Sequence, residues 1–188
     1  MKISPKFVIK VAGTLTVIAL ITAALLGVVD GVTRDKIAEI EAEKTRVAMS
    51  AVTPAGSEFT DKLEIPAAAA QGAKVLELYG VKAGGYVMKI SASGSQGAIV
   101  MMVGTDANKA ITGISVVSHS ETSGIGTKVV GNELNDAGVP VLDQFIGLSG
   151  SSSLVVKKNI TPITTATVST KGITTGANAA LAAAEALG

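Results

Sequence analysis

The chain has 188 residues, enough for one ordinary domain and an appendage, and a formal net charge of +1. Its hydrophobic share is 47% with only 3% aromatics, so any core is built from Val, Ile, Leu and Ala. Cysteine is absent, which excludes disulfides, thiolate-ligated iron–sulfur clusters and a lipoprotein anchor. No basic stripe with interleaved aromatics is present, which argues against nucleic acid as a partner. A chain of this composition that moves electrons has to borrow an organic cofactor.

Lys2, Lys6 and Lys10 precede nineteen residues without a charge, Val11–Val29, and Asp30, Arg34, Asp35 and Lys36 follow. As a helix the apolar run spans roughly 28 Å, close to the ~30 Å hydrocarbon core of a bilayer. The positive flank predicts a cytoplasmic N-terminus, with everything after Asp30 on the far side. A cleaved signal peptide is the competing reading, but Thr22-Ala-Ala24 is a poor cleavage site inside the apolar run. An uncleaved anchor is expected. Gly13, Thr16, Ala19, Ala23, Ala24 and Gly27 would let another membrane helix approach closely.

Thr33–Val52 reads as an amphipathic stalk helix, with Ile37, Ile40, Val47, Ala48 and Ala51 at helical spacing, stopped by Pro54 and Gly56. The run Ala67–Ala70 is a spacer or a short helix. From Val75 the pattern turns to strands: Val75–Leu78, Tyr86–Ser91, Ala98–Val103 and Ile111–Val117, separated by short Gly- and Asn-containing turns. Connections this short join antiparallel neighbours, which predicts an α+β domain with an antiparallel sheet and flanking helices. Val129–Leu134 and Val141–Ile146 read as short helices or turns of helix, Ser149–Ser153 as a flexible link and Leu154–Lys157 as an edge strand. The chain thus divides into a cytoplasmic tip with transmembrane anchor (1–30), the stalk (31–56) and an extracytoplasmic domain (57–188).

Two stretches concentrate chemistry. His119-Ser-Glu-Thr-Ser-Gly-Ile-Gly126 follows the last strand and combines the only histidine, a carboxylate, threonine and serine hydroxyls beside it, and two glycines. Gly124 and Gly126 allow backbone N–H groups to approach a ligand. The segment is too sparse for a hydrolytic triad, and His119 with Glu121 is too few strong ligands for a metal. Without other information it is a polar turn. Thr161-Pro-Ile-Thr-Thr-Ala-Thr-Val-Ser-Thr170 carries a hydroxyl at six of ten positions. Behind it an Ala-rich segment becomes a strong helix former from Ala177 onward. Its Thr and Ser residues are natural N-caps, and a helix N-terminus also suits a phosphate.

Both stretches resemble motifs of the FMN-binding domain family, which occurs in the G-type subunit of the Rnf complex and the C-type subunit of the sodium-pumping NADH:quinone reductase. The family's acceptor pattern is roughly Asp-x-x-Ser/Thr-Gly-Ala-Thr, its last Thr esterified to the FMN phosphate. Thr164 matches the Ser/Thr, Ala166 the Ala and Thr167 the flavin-bearing Thr. Thr161 stands where Asp is usual, and Thr165 where Gly is usual. The segment His119–Gly126 resembles His-x-Glu-Thr-Pro-Gly-Leu-Gly, with Ser123 for Pro and Ile125 for Leu; in the family this loop lies beside the flavin. The implied cofactor-binding set is therefore Thr164, Thr165, Ala166, Thr167, Ser169, Thr170 and Lys171 with His119, Glu121, Thr122, Gly124 and Gly126. Glu121 and Thr122 are expected to meet the ring or phosphate, and Lys171 to offset the phosphodiester charge.

The resemblance implies covalent FMN attached by a separate FAD-consuming flavin transferase. It also implies an electron-carrying role among the membrane and peripheral subunits of an ion-translocating ferredoxin:NAD oxidoreductase, with negligible turnover of the isolated chain. A length of 188 residues favours the Rnf setting over the usually longer component of the quinone reductase. The alternatives are that quinone reductase component, a membrane-tied scaffold that has lost the flavin, and a stand-alone flavin reductase.

Overall fold

From Pro5 the backbone runs as one α-helix, α1, to Ala51. The computed structural model describes residues 5–66, 72–150 and 153–188. Anchor and stalk, which the sequence suggested as separate helices, share this single element. Asp30 pairs with Arg34 and Lys36 with Glu39 at helical spacing, so the charges after the apolar run continue the helix. Pro54 then ends it, because the residue before a proline is pushed out of helical conformation. Two units divide the chain, Met1–Glu43 and Lys44–Gly188. In the first, every residue of Val11–Val29 is exposed, Leu20, Leu26 and Val28 to between 64 and 67%. A helix apolar all round and uncovered by protein is suited to lipid. Among the described residues this is the one helix long and apolar enough to cross a membrane.

The second unit is built on five antiparallel strands in chain order: β1 (Phe59–Lys62), β2 (Ala73–Val81), β3 (Tyr86–Ser93), β4 (Ala98–Thr105) and β5 (Ile111–His119). Side chains alternate across the pleat. Met88, Ile90 and Ala92 of β3 and Ile99, Met101 and Val103 of β4 enter the larger core, under the C-terminal helix α3 (Thr167–Ala186). Val87 and Met102 point to the other face, where Ala48 and Val52 at the end of α1 cover them with Val81. There the Thr112 hydroxyl donates to the Val52 carbonyl at 2.5 Å. An irregular register between Val75 and Glu77 lets Val75 and Leu78 share the α3 face while Val81 joins the opposite one.

Four predicted strands are present, and the sheet makes the domain α+β as expected. The fifth, β1, went unrecognised: Phe59-Thr-Asp-Lys62 is mostly exposed and polar, and the segment becomes a strand only by pairing with β2. Leu154–Lys157 is not an edge strand of the sheet. It makes a single bridge, Val156 with Ile160, in a turn where Lys157 has φ 68°. In place of a helix over Val129–Leu134 there is α2 (Gly126–Val130), while Leu134 bridges to Pro140. Within Val141–Ile146, Asp143–Phe145 forms a 3-10 turn, the turn-of-helix form of that expectation. Ala67–Ala70 and part of the Ser149–Ser153 link lie outside the described residues.

α3 begins ten residues before Ala177, the start that composition suggested. Thr, Ser and Gly between Thr167 and Gly176 are weak helix formers, but burial of Gly172, Ile173, Gly176 and Ala177 against the sheet overrides propensity. Small residues are needed there, because a Cβ on Gly172 would lie 2.6 Å from the Ser93 carbonyl oxygen.

Candidate functional site

β5 ends at exposed His119, and the chain then dips inward so that Glu121 is only 8% exposed. One Glu121 carboxylate oxygen accepts from the backbone N–H groups of Ser95 (2.8 Å) and Gln96 (3.3 Å). The other accepts from the Ser169 hydroxyl, in the first turn of α3. Gly126 is buried against this carboxylate, and a Cβ there would overlap it. Glu121 therefore ties the β3–β4 turn, its own loop and α3 together, with both oxygens committed inside the protein. This differs from the expected contact with flavin ring or phosphate. Thr122 stays exposed, its carbonyl accepting from the N–H groups of Ile125 and Thr127. Gly124 takes φ 75° and donates its N–H to the Thr127 hydroxyl at 2.8 Å.

The hydroxyl-rich stretch forms a 3-10 turn, Thr164–Ala166, and passes straight into α3. The capping expected of its Thr and Ser side chains is not what they do: no side chain caps α3. Thr167 Oγ1 donates to the Thr164 carbonyl at 3.2 Å, and buried Thr170 to that of Ala166 at 3.1 Å. Ser169, also buried, is held by Glu121. Thr164 and Thr165 are exposed, Ala166 is buried and Thr167 is partly exposed. Thr164 in turn is gripped from another loop. Its N–H and its hydroxyl donate to the two carboxylate oxygens of Asp136, at 3.1 and 2.5 Å, and the Asp136 N–H donates to the Pro162 carbonyl at 3.2 Å.

The Thr164 hydroxyl, and then its N–H, hold the exposed Asp136 carboxyl below the usual carboxylate range against a small desolvation effect. A lowered folded-state pKa sets the sign. The pair's contribution to stability is present above the unfolded carboxylate pKa and is lost as pH falls through the folded value.

Beside Thr167 opens a cleft of about 380 Å³, within the roughly 300–1,000 Å³ typical of small-molecule pockets. One wall is the α3 face of Thr167, Lys171, Thr174 and Asn178; the other is Leu154–Lys157. Asn178 holds the walls together, donating to the Leu154 carbonyl (2.9 Å) and accepting from its N–H (3.2 Å). From Thr167 to Asn178 the helix rises about 16 Å, a span an extended mononucleotide can follow. Lys171, one turn beyond Thr167, and Lys157 are both exposed at this cleft. A larger hollow of about 740 Å³ between Gly72–Lys74 and Ser91–Ala98 contains no residue of either motif.

The two motifs thus meet through Glu121 and Ser169, 48 residues apart in the chain. Sequence reasoning did not reach Asp136, Lys157 or Asn178. Asn135-Asp136-Ala-Gly138 reads as an ordinary turn, and Lys157 and Asn178 carry no local signal.

Residues 94–182 match the FMN-binding domain family, and residues 1–52 match the RnfG N-terminal region. The first match takes in both motifs and most of α3 but leaves β1, β2 and β3 outside. The chain is 29% identical over 193 residues to the G subunit of the Na(+)-translocating ferredoxin:NAD(+) oxidoreductase complex of Acetobacterium woodii, covering 92% of this chain and 89% of that protein. It is 27% identical over 175 residues to the G subunit of the ion-translocating oxidoreductase complex of Methanosarcina acetivorans, covering 89% of each. The chain thus carries a match to the RnfG N-terminal region ahead of a match to the FMN-binding domain, and along most of its length it is similar to G subunits of ion-translocating oxidoreductase complexes.

Proposed function

We propose that this chain is the FMN-carrying electron-transfer subunit of a membrane-bound, ion-translocating ferredoxin:NAD oxidoreductase, with FMN joined through its phosphate to Thr167. The observation that carries this reading is the position of Thr167. Its partly exposed hydroxyl begins α3 at a cleft of flavin-compatible size, with Lys171 one turn on. Attachment makes a Thr167 Oγ–P ester, breaks the phosphoanhydride of FAD, releases AMP and frees the hydroxyl proton; a separate flavin transferase performs it. The isoalloxazine ring supplies the redox chemistry when bound.

The chain's own residues do the rest. Lys171 offsets the phosphodiester charge, and Val155 and Val156 provide an apolar wall for the ring in the cleft. Lys157, on the same wall, favours negative charge on a reduced ring. Ser169, Thr170, Glu121 and Gly126 hold α3 and the loop in register from inside, while Thr164 and Thr165 shape the approach to the acceptor.

The test is intact mass of the chain produced in a host with a flavin transferase, measured after denaturation. The parent is expected to carry the FMN increment and Thr167→Ala to lose it, while Thr165→Ala keeps it. An unmodified parent, or an increment that survives Thr167→Ala, overturns the assignment.

The same reading places the domain outside the cytoplasm, supported by Lys2, Lys6 and Lys10 ahead of the apolar run. A reporter that works only outside the cytoplasm, fused after Val52, is expected to be active. Activity of a cytoplasm-only reporter at that junction reverses the orientation.

A further inference from the structure

We infer that Asp136 is the residue that positions the Thr167 hydroxyl for flavin attachment, acting across the loop through Thr164. The proposal rests on the reading of Thr167 as the acceptor. Its basis is a chain of contacts. Asp136 takes both the N–H and the hydroxyl of Thr164, the Thr164 carbonyl accepts the Thr167 hydroxyl, and the Asp136 N–H holds Pro162 at the start of the turn. With its hydrogen directed at that carbonyl, Thr167 Oγ1 turns its lone pairs away from the backbone, toward an incoming phosphorus.

Asp136 is itself held in place. Asn135, its buried neighbour, accepts from the N–H groups of Ala137 (2.9 Å) and Val139 (3.1 Å), which closes the loop on itself. The start of α3 has no side-chain cap of its own to fix the turn. Thr161, where an acidic residue stands in the motif this stretch resembles, has no carboxylate to offer. Its backbone is engaged instead by Gln144, which accepts from the Thr161 N–H at 2.8 Å and donates to its carbonyl at 3.0 Å. The carboxylate that grips Thr164 thus comes from another loop, 28 residues away.

The experiment follows the rate at which the full chain gains the FMN increment, by intact mass over time in the presence of a flavin transferase and FAD. Asp136→Ala is expected to slow attachment by at least about tenfold, since small misplacements of a reacting group are costly. Because Asp136 is exposed, the melting temperature is expected to stay close to the parent's. Asp136→Asn, which keeps one acceptor oxygen for Thr164, is expected to lose less of the rate than Asp136→Ala at a similar melting temperature, a graded loss that a merely stabilising role for Asp136 does not produce. An unchanged rate in Asp136→Ala, in a parent that is modified normally on Thr167, overturns the role of Asp136 alone. Slowing that comes with a matching fall in melting temperature also overturns it. A parent that is never modified overturns the acceptor assignment and this proposal with it.

Discussion

Replacing Glu121 by Ala is expected to lower the melting temperature of the Lys44–Gly188 unit by about 10 °C. The substitution removes the acceptor for two backbone N–H groups of the exposed turn at Ser95 and Gln96, and for the buried Ser169 hydroxyl. The buried donor left without a partner costs on the order of 1–3 kcal/mol, and each lost bond to a part-buried N–H roughly 0.5–1.5 kcal/mol, since water replaces it in part. A net loss of about 3 kcal/mol at roughly 3 °C per kcal/mol for a domain of this size gives the expected shift. Glu121→Gln keeps the volume and one acceptor oxygen, so its effect is expected to be about half as large. Thermal unfolding followed by circular dichroism reads both. A shift of Glu121→Ala below about 2 °C would contradict the role of this carboxylate as the tie between loop and helix.

Gly172→Ala is expected to be destabilising as well, for a steric reason. The new Cβ would sit 2.6 Å from the Ser93 carbonyl oxygen, 3.3 Å from its carbon and 3.4 Å from the Gly94 Cα. All three are backbone atoms, so no side-chain rotation relieves the contact and α3 has to move off the sheet. Overpacking of this kind costs about 1–3 kcal/mol, more than the roughly 1 kcal/mol that Ala gains over Gly in a helix. Gly176→Ala is the control. Its Cβ meets the Met101 methyl at 2.7 Å and sulfur at 3.0 Å, the end of a flexible side chain that can shift. Gly176→Ala is therefore expected to stay within about 1 kcal/mol of the parent. Moving α3 also displaces Thr167, so Gly172→Ala is expected to slow flavin attachment while Gly176→Ala does not. Equal melting temperatures for the two variants would show that the helix is not packed as tightly as described.

These variants also mark where sequence reasoning succeeds and where it stops. The hydroxyl stretch and the His119–Gly126 loop were both visible as chemistry-bearing segments. The parts assigned to their residues were less legible. Glu121 looks like a ligand when seen as a carboxylate beside two glycines, yet Gly126 is small because the Glu121 side chain occupies the space beside it. Ser169 and Thr170 look like available hydroxyls, but α3 begins at Thr167, so both turn inward against the sheet. Polar residue type identifies what a side chain can bond to, while its direction depends on where the helix starts.

The apolar run Val11–Val29, the strand rhythm from Val75 to Val117 and the hydroxyl-rich stretch Thr161–Thr170 were determined by the amino-acid order alone. Each depends on residues within a turn or two of one another, or on length against a bilayer. The tertiary structure alone decided the pairs Asp136–Thr164, Glu121–Ser169 and Leu154–Asn178, separated by 28, 48 and 24 residues. Such contacts have no local pattern, because they exist only once the sheet register and the burial of α3 have brought distant loops against the same helix.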